Sequence, residues 1–174
     1  MDLTDTILDV IDPRSFSSLW YWIVLAVSWS SASHWVLGVP FDMIARARRH
    51  GGQAMADLED LARISVGRLL VVARSSGLWL LGIAAFVLTG LLVLGLWYDV
   101  EFAQAVFLIA LPMTGVGVMS LRAALRLERE GEGGEVLVRA LLRHRFQTQL
   151  IGMASIFVTA LWGMYRNLAA LHGL

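Results

Sequence analysis

Residues 75–98 read SSGLWLLGIAAFVLTGLLVLGLWY, 24 positions without a charged side chain between Arg74 and Asp99. As an α-helix rising about 1.5 Å per residue, this stretch exceeds the ~30 Å of a bilayer's hydrocarbon core. Its apolar side chains occupy every face rather than one stripe, so hydrocarbon suits it better than water. Three further stretches have the same character: residues 15–39 (SFSSLWYWIVLAVSWSSASHWVLGV, stopping at Pro40), 102–121 and 146–165. The first is the least apolar, because Ser28, Ser30, Ser31, Ser33 and His34 cluster in its second half. It still lacks Asp, Glu and Arg, each of which would cost about 2.5–3.5 kcal/mol at the centre of a span. The expected fold class is therefore an all-α membrane protein, a single polytopic domain with four transmembrane helices.

Composition excludes the competing classes. Of 174 residues, 57 % are apolar and 16 % charged, against about a quarter charged in a soluble domain. Neither an ordinary soluble globule nor a disordered chain has this profile. The absence of cysteine excludes a disulfide scaffold and any thiolate-ligated metal or redox site. Fourteen basic residues, all arginine, balance fourteen acidic ones, so no excess positive charge points to nucleic acid.

The distribution of arginine orients the chain. The connection over residues 41–74 holds Arg46, Arg48, Arg49, Arg63, Arg68 and Arg74, and that over 122–145 holds Arg122, Arg126, Arg129, Arg139, Arg143 and Arg145. Only Arg14 and Arg166 remain for the other side. The positive-inside rule then puts both connections in the cytoplasm and both termini outside, in the periplasm of a bacterium. Trp20, Tyr21, Trp22, Trp97, Tyr98, Trp162 and Tyr165 fall at the expected outer boundary, and Trp35 and Trp79 near the inner one, as interfacial aromatics do.

Each connection reads as basic helix, glycine break, helix: Arg46–His50 before Gly51-Gly52, and Arg122–Arg129 before Gly131-Glu132-Gly133-Gly134. Glycine readily ends one helix and lets the chain reverse. Both connections are expected as helical hairpins continuous with the spans on either side, making two hairpins of the same orientation. Their likeness is one of pattern rather than residue identity, so an internal repeat stays open. Glu59 precedes Arg63, and Glu135 precedes Arg139, by the four positions that favour an ion pair. Residues 1–14, with Leu3, Ile7, Leu8 and Ile11 against Asp2, Asp5, Asp9 and Asp12, read as an amphipathic segment on the outer interface. The first span, which lacks a basic leader and follows this acidic stretch, is not expected to be a cleavable signal peptide.

Among single residues, His34 stands out as the ionisable group inside a span, a functional suspect in any membrane helix. A neutral imidazole there could ligate a haem or pigment metal. A bis-histidine site would need a second intramembrane histidine, though, and His50, His144 and His172 lie outside the spans. Packing or hydrogen bonding is the stronger expectation. Ser28 and Ser31 in the first span, Gly82 and Gly90 in the second, and Gly115 and Gly117 in the third are candidate helix-packing positions, since small residues let helices approach and hydroxyls bridge them. Pro112 should bend the third span. Arg46, Arg48, Arg49, Arg122 and Arg126 are candidate contacts to anionic headgroups. Asp99 and Glu101 on the outer turn read as solvated. No phosphate-cradling loop, H-E-x-x-H or G-x-S-x-G signature occurs. No enzyme, metal or cofactor is therefore expected.

The stretch Trp29-Ser-Ser-Ala-Ser-His-Trp-Val-Leu-Gly-Val-Pro-Phe-Asp42 with Arg46-Ala-Arg-Arg-His-Gly-Gly52 resembles a group of small alphaproteobacterial inner-membrane proteins that carry the label "component of SulP family permease". The resemblance implies a bacterial inner-membrane location, and its motifs carry no mechanism. The leading expectation is a non-catalytic membrane subunit or accessory factor, with the lipid bilayer and another membrane protein as partners. A small homo-oligomeric transporter or channel is the alternative, with haem or pigment binding through His34 as a third.

Overall fold

The structure, a computed structural model, describes residues 15–131 and 133–172; the amphipathic segment expected over residues 1–14 lies outside them. After a 3-10 turn at Ser15–Ser17 come helix α1 (Leu19–His34), a two-stranded hairpin of β1 (Trp35–Val36) and β2 (Val39–Pro40), helix α2 (Phe41–His50), and three long helices, α3 (Gly52–Leu96), α4 (Glu101–Glu130) and α5 (Gly134–His172). The protein is thus almost wholly helical. Helices α3, α4 and α5 are each long and apolar enough to cross a membrane.

The expected helix over residues 15–39 is corrected: it ends at His34, and α1 has 16 residues. β1 pairs antiparallel with β2, Trp35 opposite Pro40 and Val36 opposite Val39. Leu37 and Gly38 turn the chain at φ +52° and +81°, the doubly positive geometry of a two-residue hairpin. Glycine takes this conformation without strain. Leucine does not, and its side chain compensates by burial at 8 % exposure. Pro40 lacks an N–H and disfavours helix in the residue before it, so the chain is extended here before it enters α2. The connection expected to continue the first span as a helix is therefore broken at Trp35–Pro40. The glycine breaks fall as expected, at Gly51 and Gly52 (φ +57° and +48°) and at Gly131 (φ +59°).

The apolar core lies at one end of the molecule, outside the most apolar stretches. Val36, Val39, Ile44, Ala47, Leu58, Ala62, Leu137, Val138 and Leu141 are buried together, and Val66, Leu70 and Ala124 continue the cluster along α3 and α4. These residues belong to the hairpin, α2 and the arginine-rich ends of α3, α4 and α5, which we call the cap. Burial of apolar area against water is what assembles such a cluster. The most apolar 18-residue window of α3, by contrast, has no buried residue. Leu78, Trp79 and Phe86 stand 84 %, 78 % and 80 % exposed, an arrangement suited to hydrocarbon, which offers no drive to bury them.

Where the apolar stretches do meet, small and polar residues make the contact. Thr148, Gly152, Ser155, Thr159 and Gly163 fall on the buried face of α5. A Cβ on Gly152 would come within 2.8 Å of the Trp29 ring, and one on Gly163 within 3.3 Å of Phe16. Gly152 therefore lets α1 lie against α5, and Gly163 lets the 3-10 turn approach it. Pro112 sits inside an α4 that runs unbroken from Glu101 to Glu130. Without an N–H, Pro112 cannot bond the carbonyl of Leu108 four residues earlier. The Ser155 hydroxyl donates to that same carbonyl at 3.3 Å, so a side chain of α5 satisfies the group that the proline strands.

Candidate functional site

The polar groups within the bundle collect in one seam. Among the described residues, Gln104, His144, Thr148, Ser155 and Thr159 are the buried polar side chains, and all lie where α4 and α5 face each other or α1. At the Asp99 end, Gln104 on the first turn of α4 donates from Nε2 to the Gly95 carbonyl (2.7 Å) and to Asp99 Oδ1 (3.0 Å). Its Oε1 accepts from Trp162 Nε1 at 3.0 Å. Asp99 in turn accepts from Arg166 Nη1 with both oxygens, at 2.7 and 3.0 Å. Glu101 accepts from the backbone N–H of Phe16 at 2.9 Å. These two carboxylates, expected as solvated turn residues, also fasten the α3–α4 turn to α5 and to the 3-10 turn, while Asp99 remains 66 % exposed.

At the cap end, His144 is 5 % exposed, with Nε2 3.1 Å from Ser120 Oγ. The Ser120 hydroxyl also lies 2.8 Å from the Val116 carbonyl, to which it donates. Nδ1 is buried without a hydrogen-bond partner, as is Trp29 Nε1. Among the described residues, His144 is the ionisable side chain with less than a tenth of its surface exposed. Sequence reasoning passed over it because it sits between Arg143 and Arg145 in a segment read as solvated; its four-residue offset from Thr148, continued by Gly152, was the available signal.

The residues expected from sequence fall elsewhere. His34 is half exposed at the end of α1, its Nε2 3.7 Å from Asp42 Oδ1 and its ring edge-on to Trp35. No second histidine joins it, and among the described residues no three His, Asp or Glu side chains gather as a metal site. Ser28 is half-buried, and Ser31 faces outward with Ser30. Gly82, Gly90, Gly115 and Gly117 have nothing within 4 Å of the position a Cβ would take, so the close approaches inside the chain are made by Gly95, Gly152 and Gly163 instead. Arg46, Arg48, Arg49, Arg122 and Arg126 are all exposed on the cap. Arg145 turns inward, donating from Nε to the Ser33 carbonyl at 3.1 Å and lying 3.5 Å over the Phe41 ring. It thereby ties the end of α1 to α2 and α5.

Two expected helix-surface ion pairs are replaced. Arg63 pairs with Asp60 at 2.5 Å rather than with Glu59. Glu59 instead crosses to the next connection and accepts from the Gly134 N–H at 2.5 Å, capping the start of α5 where unpaired N–H groups favour a carboxylate. Arg139 Nε donates to the Glu135 backbone carbonyl at 3.4 Å.

Comparison with known proteins finds no matching family model, no similar curated protein and no similar solved structure.

Proposed function

We propose that the protein is a non-catalytic, four-pass integral subunit or accessory factor of a bacterial inner membrane, with both termini periplasmic, packing against a larger membrane complex. The observation that carries this role is the vacant space beside Gly82, Gly90, Gly115 and Gly117 on α3 and α4, three of them exposed and Gly90 half-buried. Small residues in membrane helices serve close helix contact, and here the contacts within the chain use other glycines. A helix from another protein is the neighbour such positions suit. Helix α1 is the fourth span in this reading. Its 16 residues rise about 24 Å, and the 3-10 turn and hairpin flanking it complete the crossing between Glu101 and Arg145. The exposed arginines of the cap then meet anionic headgroups on the cytoplasmic side. The soft resemblance to small inner-membrane proteins labelled as permease components agrees in location.

Extraction in gentle detergent, followed by mass spectrometry of co-migrating proteins, tests the role. A stoichiometric membrane partner that is lost in Gly82→Leu or Gly115→Leu supports it, and a lone monomer overturns it. Topology is tested separately with single cysteines, since the chain has none: Glu130→Cys should label only from the cytoplasm and Tyr98→Cys only from outside. A second reading, a small homo-oligomeric transporter or channel, draws on the outward Ser30 and Ser31. Flux in proteoliposomes that is unchanged by Ser31→Leu and His34→Ala removes that path.

A further inference from the structure

We infer that a groove in the cap is the seat of a basic amphipathic helix from the partner, an inference that deepens the accessory role just proposed and rests on it. The groove, about 480 Å³, runs along α3 between Glu59 and Leu70 and is closed on its far side by the end of α4 and the start of α5. Its floor is apolar: Ala62, Val66, Leu70, Leu127 and Leu137. The eleven steps of α3 from Glu59 to Leu70 rise about 16 Å, the length over which a partner helix sets anchors at i, i+3 or i+4, and i+7. Gly67 forms part of the wall, and a Cβ there would meet nothing within 4 Å, so the opening admits a side chain.

The charge around the groove fixes the sign of its occupant. Three carboxylates line it (Glu59, Asp60 and Glu128) against the guanidinium of Arg63 and that of Arg74, which reaches Glu128 at the rim. Asp60 and Glu128 remain 66 % and 40 % exposed despite their pairs with Arg63 and Arg74. Such exposed pairs are worth about 0–1 kcal/mol and exchange readily for a partner's charges. Elsewhere arginine is in excess on the cap, with Arg46, Arg48, Arg49, Arg122, Arg126 and Arg143 exposed against Asp42, Asp57, Glu130 and Glu135. A lysine- or arginine-rich helix is repelled by that arginine excess and drawn to the acidic-rimmed apolar slot, which is how complementary charge gives a docking its register. An acidic helix would be held by the arginines instead and kept out of the groove.

The test uses the full chain in nanodiscs of zwitterionic lipid and two labelled synthetic helices, one of leucine and lysine and one of leucine and glutamate with the same apolar pattern, read by fluorescence anisotropy. The leucine–lysine helix should bind saturably, and Gly67→Trp, which fills the slot from its open wall, should weaken it about tenfold or more, the loss typical of blocking a central anchor. Gly67→Ala should bind as the wild type does, and Asp60→Asn with Glu128→Gln should weaken binding several-fold and flatten its salt dependence. Equal binding by Gly67→Trp and wild type, or equal binding of the leucine–glutamate helix, overturns the inference. Because this assay needs no natural partner, its outcome is independent of co-purification: binding to the groove with no partner in the membrane would defeat the accessory role alone, and a partner retained by Gly67→Trp would defeat the groove alone.

Discussion

The bond between Ser155 and the carbonyl stranded by Pro112 gives a sharp test of how the membrane half of the protein is held. In Ser155→Ala the change is nearly isosteric, but the Leu108 carbonyl loses the hydroxyl that donates to it at 3.3 Å and has no N–H four residues on to replace it. Hydrogen bonds between membrane helices average about 0.6 kcal/mol and reach about 1.7 kcal/mol. The strandedness of this carbonyl places the loss towards the upper part of that range, so about 1–1.5 kcal/mol is expected, a roughly tenfold fall in the folded-to-unfolded ratio. In Pro112→Ala the backbone N–H returns and can take the Leu108 carbonyl itself. Ser155→Ala made in that background should then cost under about 0.5 kcal/mol, leaving a coupling energy of about 1 kcal/mol between positions 112 and 155. Reversible unfolding of the four proteins in mixed maltoside and dodecyl sulfate micelles, followed by tryptophan fluorescence, measures the cycle. If Ser155→Ala costs the same with proline or alanine at position 112, the hydroxyl does not serve the stranded carbonyl, and the account of how α4 tolerates its proline fails.

Three further outcomes follow from the same packing. Gly152→Ala places a methyl 2.8 Å from the Trp29 ring and should destabilise by about 1–3 kcal/mol, whereas Gly82→Ala and Gly117→Ala, which face open space, should leave the isolated chain as stable or up to about 1 kcal/mol more so; thermal aggregation midpoints in detergent distinguish the two groups. Gln104→Leu strands Trp162 Nε1, the Gly95 carbonyl and one Asp99 contact together, and should cost more than the ~1–3 kcal/mol of one unsatisfied group, with Asp99→Asn in that background adding the loss of its charge pair with Arg166. Glu59→Gln keeps a neutral acceptor near the Gly134 N–H but loses the charge, so it should cost less than Glu59→Ala, for which about 0.5–2 kcal/mol is expected; hydrogen exchange of the first turn of α5 should quicken in that order.

The long apolar stretches of α3, α4 and α5 were legible because a single property, freedom from charge over some 20 residues, has only a few structural solutions in a chain. The stretch 35–40 was not. Trp35-Val-Leu-Gly-Val-Pro40 has the same apolar character as the span before it, and composition does not distinguish side chains that face lipid from side chains that fill a core. Only the pairing of Gly38 with Pro40 hints that the chain reverses, and Leu37 at φ +52° runs against local preference, as residues forced by tertiary packing do. The glycines illustrate the same limit. Gly82 and Gly152 look alike in sequence, yet one meets open space and the other an indole, because the partner surface is set by helices far away in the chain. Gly152 belongs to a pattern that could have been found: Thr148, Gly152, Ser155, Thr159 and Gly163 recur at steps of four, three, four and four, a small polar stripe on an otherwise apolar helix. Glu59 shows a third kind of miss. A four-residue spacing to Arg63 favours a local pair, but the start of α5, brought alongside by the fold, offers unpaired N–H groups and takes the carboxylate instead.

The uninterrupted length of α3 has one mechanical consequence. Its 45 residues make a rod of about 67 Å without an internal proline, one half clamped in the cap's core and the other free of it. A rod pivoting near its middle behaves as a lever: a tilt of about 5° leaves the fulcrum in place and swings the far tip, beside Trp97, through roughly 3 Å over an arm of some 33 Å. Whatever leans on the arm in the cap would thus be felt at the Trp97 end, where the Gln104–Trp162 and Asp99–Arg166 contacts carry it into α5, without any helix having to unwind.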